Sequence, residues 1–191
     1  MPFVYRYLFA TMWGLWALYW WVASANVKHA VRRESFASRV THIAPLAIAA
    51  LLLFDGRGIL FPPLAVRLLP RAGWVFWTGA VLTAAGLLFT VWARLHLGSN
   101  WSGIVTIKKE HELVETGPYR IVRHPIYTGL LLAFAGSAVA RGDVRAVLAL
   151  AIAFAALWRK LKLEERWLGE EFGDAYEAYR RRVAALVPFI L

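Results

Sequence analysis

Apolar residues run in long blocks along this chain, and polar residues collect between the blocks. The blocks are too continuous for the alternation of a half-buried strand and too apolar all round for a surface helix. Five of them predict membrane-crossing helices: Phe3 to Ala23, Val40 to Phe54, Trp74 to Leu95, Pro125 to Ala140 and Val144 to Leu163. A helix needs about 20 residues to cross the hydrocarbon core. The second and fourth blocks are therefore short, and the fourth is expected to tilt or to begin inside the protein. Arg141-Gly142-Asp143 reads as a tight polar turn between the last two blocks, and Leu60 to Leu69, broken by Pro62 and Pro63, as an interfacial segment without chemistry. The expected fold is all-α, a polytopic membrane protein of about five spans in one domain covering residues 1–191.

Composition narrows the chemistry. Of 191 residues, 60% are hydrophobic and none is Cys, which excludes disulfides, thiolate metal sites and a Cys nucleophile. The stretch Met1 to Ala23 is long and aromatic and has no basic region ahead of its apolar run, so it reads as a retained helix rather than a leader. A net charge of +10 raises nucleic acid as a partner. Its distribution argues against that: basic residues flank the apolar blocks and form no continuous soluble face, which fits membrane lipid headgroups. Segments 24–39, 94–123 and 159–191 hold 4, 5 and 7 Lys/Arg, and only Arg6, Arg57, Arg67, Arg71, Arg141 and Arg145 lie elsewhere. With five crossings, the three rich segments fall together on one side. That predicts an N-terminus outside and a C-terminus in the cytoplasm, at the inner membrane if the source is prokaryotic.

The densest chemistry lies in Gly117-Pro118-Tyr119-Arg120-Ile121-Val122-Arg123-His124-Pro125-Ile126-Tyr127-Thr128-Gly129, at the border of the fourth block. Pro125 suits the first turn of a helix, where its missing N–H costs nothing. His124, before it, is biased toward an extended backbone. The unpaired N–H groups of such a helix start attract anions, and Arg120 and Arg123 strengthen that bias. A carboxylate or phosphate bound near 119–127 is one reading; a basic turn resting on lipid phosphates is the other. A second group is Glu164-Glu165 with Leu168, Phe172, Gly173, Tyr176 and Tyr179. If the fifth helix continues past the membrane, Leu161, Glu165, Leu168 and Phe172 share a face, and Glu165 becomes an acid in an apolar stripe that needs a cationic or donor partner. Glu164, four residues after Lys160, reads as an ordinary surface pair. A third group, His111-Glu112-Leu113-Val114-Glu115-Thr116, is a short alternating run. No GxGxxG, P-loop, HExxH or GxSxG is present, and the histidines lack metal-site spacing, so no metal is expected.

The last hundred or so residues resemble the isoprenylcysteine carboxyl methyltransferase family and the related phospholipid N-methyltransferases. The resemblance is carried by Leu113-Val114, Gly117-Pro118-Tyr119-Arg120, the Arg123-His124-Pro125-Ile126-Tyr127-Thr128-Gly129 block, Glu164-Glu165, Phe172-Gly173 and the Tyr176/Tyr179 pair. It implies a membrane methyltransferase that uses S-adenosylmethionine without a Rossmann domain. Residues 1–95 would supply three spans, and 96–191 a cytoplasmic cofactor pocket built by the last helices and the C-terminal tail. By position, His111, Leu113 and Val114 would line the adenosine region. Gly117, Tyr119, His124, Pro125 and Tyr127 would surround the methionine part, and Glu164 and Glu165 would hold its ammonium or sulfonium side. The partner implied is a lipophilic or lipidated substrate entering from the bilayer.

Methyl transfer from a sulfonium is an in-line displacement in which the protein mainly orients and desolvates. A carboxylate acceptor needs no base but needs a positioning cation, for which Arg123 is the first choice. An amine must lose a proton, to Glu165 or His124. The RHPxY form points to a carboxylate of an isoprenylcysteine-like molecule. An amine-methylating enzyme and a non-enzymatic lipid-binding module are the rivals.

Overall fold

The computed structural model describes residues 2–24, 30–55, 62–101, 106–108 and 113–188. Its elements follow the apolar blocks closely: α1 (Pro2–Ala23), α2 (Phe36–Phe54), α3 (Gly73–Leu97), α4 (Pro125–Arg141), α5 (Val144–Phe172) and α6 (Asp174–Arg182). Two short strands, β1 (Ala30–Arg33) and β2 (Thr106–Lys108), pair antiparallel, a feature that the all-helical expectation omitted. The helix α2 starts at Phe36, ahead of the predicted Val40, because Ser35 caps it by accepting from the Ser38 N–H at 3.1 Å. Its far end stops at Phe54, capped by the Asp55 N–H.

Among the described residues two helices, Phe36–Phe54 and Gly73–Leu97, are long and apolar enough to cross a membrane by length and composition, and the apolar Pro125–Arg141 is shorter at 17 residues. Side-chain placement on α3 fits a lipid setting. Trp74, Trp77, Val81, Leu88, Trp92 and Leu95 are exposed, while Gly79, Ala80, Thr83, Gly86, Thr90 and Ala93 are buried. Small residues inside and large apolar ones outside is how helices pack where lipid, not water, surrounds them.

The tightest contact is α3 against α4. A Cβ on Gly86 would lie 2.5 Å from the Gly129 oxygen and the Ala133 nitrogen, and one on Gly136 would lie 2.4 Å from the Thr83 nitrogen. The two backbones meet at these glycines. Polar side chains fasten the same seam: Thr83 Oγ1 and Ser137 Oγ are 3.1 Å apart, Trp13 Nε1 donates to Ser137 Oγ at 3.1 Å, and Trp16 Nε1 donates to Thr90 Oγ1 at 2.7 Å. On the other flank α2 packs along α5 through Ala49, Leu52, Leu53, Ala146, Ala149 and Ala153.

The turn between α4 and α5 is a buried ion network. Asp143 caps α5 by accepting from the Ala146 N–H at 3.1 Å, and the same carboxylate accepts from Arg141 Nε at 3.0 Å and Arg145 Nη2 at 2.6 Å. Arg145 Nη1 also reaches Asp55 Oδ2 at 3.2 Å, and Arg141 donates to the Leu53 and Asp55 carbonyls. The segment that looked merely interfacial is tied in, since the Leu68 N–H donates to the Gly142 carbonyl at 2.8 Å. Two arginines and two aspartates thus balance one another where α2, α4 and α5 end. The polar cluster described next lies at the opposite ends of these helices.

Candidate active site

Four chain segments converge where α4 begins. A 3₁₀ turn at Gly117–Arg120 comes first. Gly117 has φ +58°, and a Cβ there would strike the His96 ring at 2.6 Å, so only glycine lets the turn close over that histidine. His96 Nε2 and Thr116 Oγ1 are 2.8 Å apart, and the His96 ring stacks on Tyr119. His124 precedes α4 with φ −123°, and Pro125 holds its first turn.

The long helix α5 supplies the opposite wall. It runs unbroken to Phe172, so Lys160, Glu164 and Glu165 arrive on a rigid element. Glu165, 7% exposed, accepts from Arg123 Nε at 2.9 Å and Nη2 at 2.5 Å. Arg123 is therefore the partner that an acid in an apolar stripe requires. Its Nη1 donates to the carbonyls of Val183 and Arg180. The guanidinium is thus occupied by the protein on every nitrogen. Tyr127 donates its hydroxyl to Glu164 Oε1 at 2.6 Å, stacks on His124 with rings 1° from parallel, and lies under Lys160 Nζ at 5.5 Å from the ring centre. His124 Nδ1 is 3.6 Å from Glu164 Oε2, and its buried Nε2 is 3.5 Å from Glu165 Oε1 without a hydrogen bond.

The C-terminal segment straps the cluster shut. The N–H groups of Arg123 and His124 donate to the carbonyls of Ala184 and Ala185 at 2.8 and 3.0 Å, and Thr128 Oγ1 donates to Leu186 O at 2.7 Å. Tyr179 donates its hydroxyl to the Tyr119 carbonyl at 2.6 Å. The buried Tyr176 hydroxyl sits within electrostatic reach of Glu165 and Arg123. Outside the strap, a polar cleft of about 270 Å³ lined by Lys162, Glu165, Arg166, Gly169, Glu177 and Arg180 opens onto Glu165.

The electrostatics follow from burial and pairing. Burial pushes the Glu165 carboxyl up, but His124 and Arg123 beside it pull it further down, to about 2. It is held ionised, an acceptor for a cation or a hydrogen-bond donor. Burial raises the hydroxyls of Tyr119, Tyr176 and Tyr179 well above their ordinary value, so all three stay protonated.

Of the residues singled out from sequence, Tyr119, Arg123, His124, Pro125, Tyr127, Glu164 and Glu165 meet here. Gly117 opens the 3₁₀ turn, Leu113 and Val114 lie on the approach to it, and His111 lies outside the described residues. The surface-pair reading of Glu164 with Lys160 gives way: Lys160 is 9% exposed, and Glu164 is bonded to Tyr127. Two further residues enter from α2 and its cap. Glu34 and His42 are 5% and 1% exposed, with His42 Nε2 3.4 Å from Glu34 Oε1 and Ser38 Oγ donating to Glu34 Oε2 at 3.1 Å. Ser38 and His42 lie four apart on one face of α2, and Glu34 sits just ahead of the Ser35 cap.

A family model described as phospholipid methyltransferase matches residues 74–175, just over half of the chain, from the first turn of α3 through the end of α5. The chain belongs to the phospholipid methyltransferase family. Among relatives of this phospholipid methyltransferase family member, protein-S-isoprenylcysteine O-methyltransferase A of Arabidopsis thaliana is 30% identical over 155 residues, covering 78% of this chain and 75% of that protein. The protein-S-isoprenylcysteine O-methyltransferase of Schizosaccharomyces pombe is 35% identical over 104 residues, 51% of this chain and 43% of that one. A solved structure of a eukaryotic intramembrane Ras methyltransferase, the isoprenylcysteine carboxyl methyltransferase, superposes with a TM-score of 0.54 at 24% identity. It covers 84% of this chain, which spans about half (55%) of that longer one. The shared feature is the membrane helical fold. By family this protein is a membrane methyltransferase.

Proposed function

We propose that the protein transfers a methyl group from S-adenosylmethionine to the carboxylate of an isoprenylcysteine-like lipophilic acceptor at the cytoplasmic face of a membrane. On this reading α1 to α5 cross the bilayer, and the cluster at the start of α4 lies on the cytoplasmic side. The observation that carries it is the buried Arg123–Glu165–His124–Tyr127–Glu164 cluster under the C-terminal strap.

The residues present fit this methyl donor. Glu164, whose side chain is 23% exposed, is an acid that a cationic ligand can pair with at the edge of the cluster. S-adenosylmethionine, with one carboxylate, one ammonium and one sulfonium, carries one positive charge. The His124 Nε2 and Tyr176 hydroxyl, both buried without a hydrogen-bond partner among the described residues, are polar atoms that a ligand can satisfy. When bound, S-adenosylmethionine supplies a methyl group already activated on sulfur. Glu164 and His124 would hold its amino-acid part, and the faces of Tyr119 and Tyr127 would border its cationic end. The leucine, valine and glycine of the 113–117 approach would flank the adenosine.

The remaining work is positioning and exclusion of water. Arg123 fixes Glu165 and the strap in one grip, so its role at the reacting centre runs through the geometry that it maintains. A carboxylate acceptor asks for no proton acceptor, which agrees with the weak basicity of Glu165. Titrating the purified protein with S-adenosylmethionine, then following radiolabelled methyl transfer, tests the reading. The expected outcome is saturable binding and base-labile label in an S-farnesylated cysteine acid, with none in its amide. Label in phosphatidylethanolamine instead would move the acceptor to an amine, and absence of binding would remove the methyl donor.

A further inference from the structure

Outside the cluster, the outward face of α5 carries a row of four residues. Phe154, Trp158, Lys162 and Arg166 follow one another at four-residue steps, which sets each above the last along the helix. The Phe154 ring, 42% exposed, stacks on Trp158 with ring centres 5.9 Å apart and planes 16° from parallel. Lys162 Nζ lies over the Trp158 ring, 4.6 Å from its centre. The row ends in the polar cleft of about 270 Å³, whose walls include Lys162, Arg166 and, from α6, Arg180. Gly169 keeps that cleft open: a Cβ there would meet only Tyr176 Cδ1, at 3.9 Å.

The charges of the cleft do not balance. Both of its carboxylates are already matched, Glu165 by Arg123 at 2.5 Å and Glu177 by Arg180 at 3.3 Å. No carboxylate in the cleft is left for Lys162 and Arg166, which are both exposed, and Glu170, one turn beyond Arg166, is not one of its walls. Like charges four apart on a helix repel, so two cations beside one hollow suit an anion. Depth indicates where that anion comes from. At 1.5 Å per residue Lys162 and Arg166 lie about 27 and 33 Å along α5 from Val144, against a hydrocarbon core of about 30 Å. The two aromatic rings then border acyl chains and the interface, and the cations reach headgroup phosphates. We propose that this face of α5 binds an anionic phospholipid, an acyl chain lying along Phe154 and Trp158 and the phosphate held by Lys162 and Arg166 at the mouth of the cleft. The inference rests on α5 crossing the bilayer and makes no use of the methyl donor.

The test is native mass spectrometry of the full chain released from detergent, titrated with dioleoyl phosphatidylglycerol or dioleoyl phosphatidylcholine. A basic residue near an anionic lipid contributes roughly fivefold, so the wild type is expected to prefer phosphatidylglycerol by roughly 25-fold. Lys162→Gln combined with Arg166→Gln is expected to abolish that preference. Arg181→Gln combined with Arg182→Gln removes the same charge from α6 outside the cleft and is expected to change the preference by less than about threefold, since exposed charges are screened. Gly169→Met, which fills the cleft and keeps both cations, is expected to weaken phosphatidylglycerol too. A wild type that does not tell the two lipids apart, a preference that survives the Lys162/Arg166 variant, or an equal loss in the Arg181/Arg182 variant overturns the site. Displacement of the lipid by millimolar sodium phosphate overturns the lipid as its occupant. A wild type that retains the lipid and binds no S-adenosylmethionine overturns the donor reading and leaves this site standing.

Discussion

Replacing Glu165 with Gln keeps the shape of the side chain and removes its charge, which makes it the sharpest probe of the cluster. In the folded protein burial raises the carboxyl, but His124 and Arg123 outweigh it and hold it at about 2, below its ordinary value of 4.5. Each unit of such a shift corresponds to about 1.4 kcal/mol, so the ionised form gains about 3 kcal/mol from its surroundings. Because the folded value is the lower one, the unfolded chain binds more protons between the two values. Stability from this group is complete above about pH 4.5, declines as the pH falls below that, and is lost as it falls through about 2. The Gln variant also strands Arg123, whose guanidinium is only 9% exposed. Breaking a buried pair from one side costs about 3–5 kcal/mol. The assay is unfolding of the detergent-solubilised protein at several pH values from 7 to 3, with hydrogen exchange at the Arg123 and His124 amides, which donate to the strap, as a local readout. The variant should be less stable than wild type at pH 7, should approach it as the pH falls, and should lose protection at the Arg123 and His124 amides. Equal pH slopes for the two proteins between 4.5 and 3 would refute the argument that Arg123 and His124 hold this carboxylate ionised.

The helix seam and the far end of the bundle offer two further tests. Gly86→Val should destabilise by about 3 kcal/mol or more, beyond the usual cost of overpacking, because the new side chain meets backbone at 2.5 Å and nothing flexible can yield. Thermal unfolding of the variant in detergent checks it, and a loss under 1 kcal/mol would contradict the close approach. Asp143→Asn should cost about 3–5 kcal/mol by leaving Arg141 and Arg145 with half their compensation. The same melt, paired with titration of S-adenosylmethionine well below the melting temperature, should show lower stability with unchanged affinity, since the network sits at the end of α4 and α5 remote from the cluster.

The sequence carried the parts of this molecule that depend on side-chain type. The start of α4 was legible because proline has few places to go. Other parts were illegible for physical reasons. The strap at 183–186 is held largely through backbone groups, which every residue possesses and no pattern advertises. Lys160 and Glu164 sit four apart, the spacing of a surface pair, and only the approach of Tyr127 and α2 buries them. Ser38 and His42 sit four apart near the start of α2, yet an apolar helix drew attention to its length rather than to its polar entrance. Arg123 was read as a cation awaiting a ligand, when its hydrogen bonds are taken up by Glu165 and two carbonyls.

The unbroken course of α5 has a mechanical consequence. From Ala146, beside the Asp143 clamp, to Glu165 the axis extends about 28 Å at 1.5 Å per residue. A rod of that length pinned by ions at one end swings its other end by about 2.5 Å for every five degrees of tilt. Tilt is how a spanning helix answers a thicker or thinner bilayer. The two glutamates would then travel with the membrane that holds them, and the lipid itself becomes a dial on how closely they meet the residues across from them.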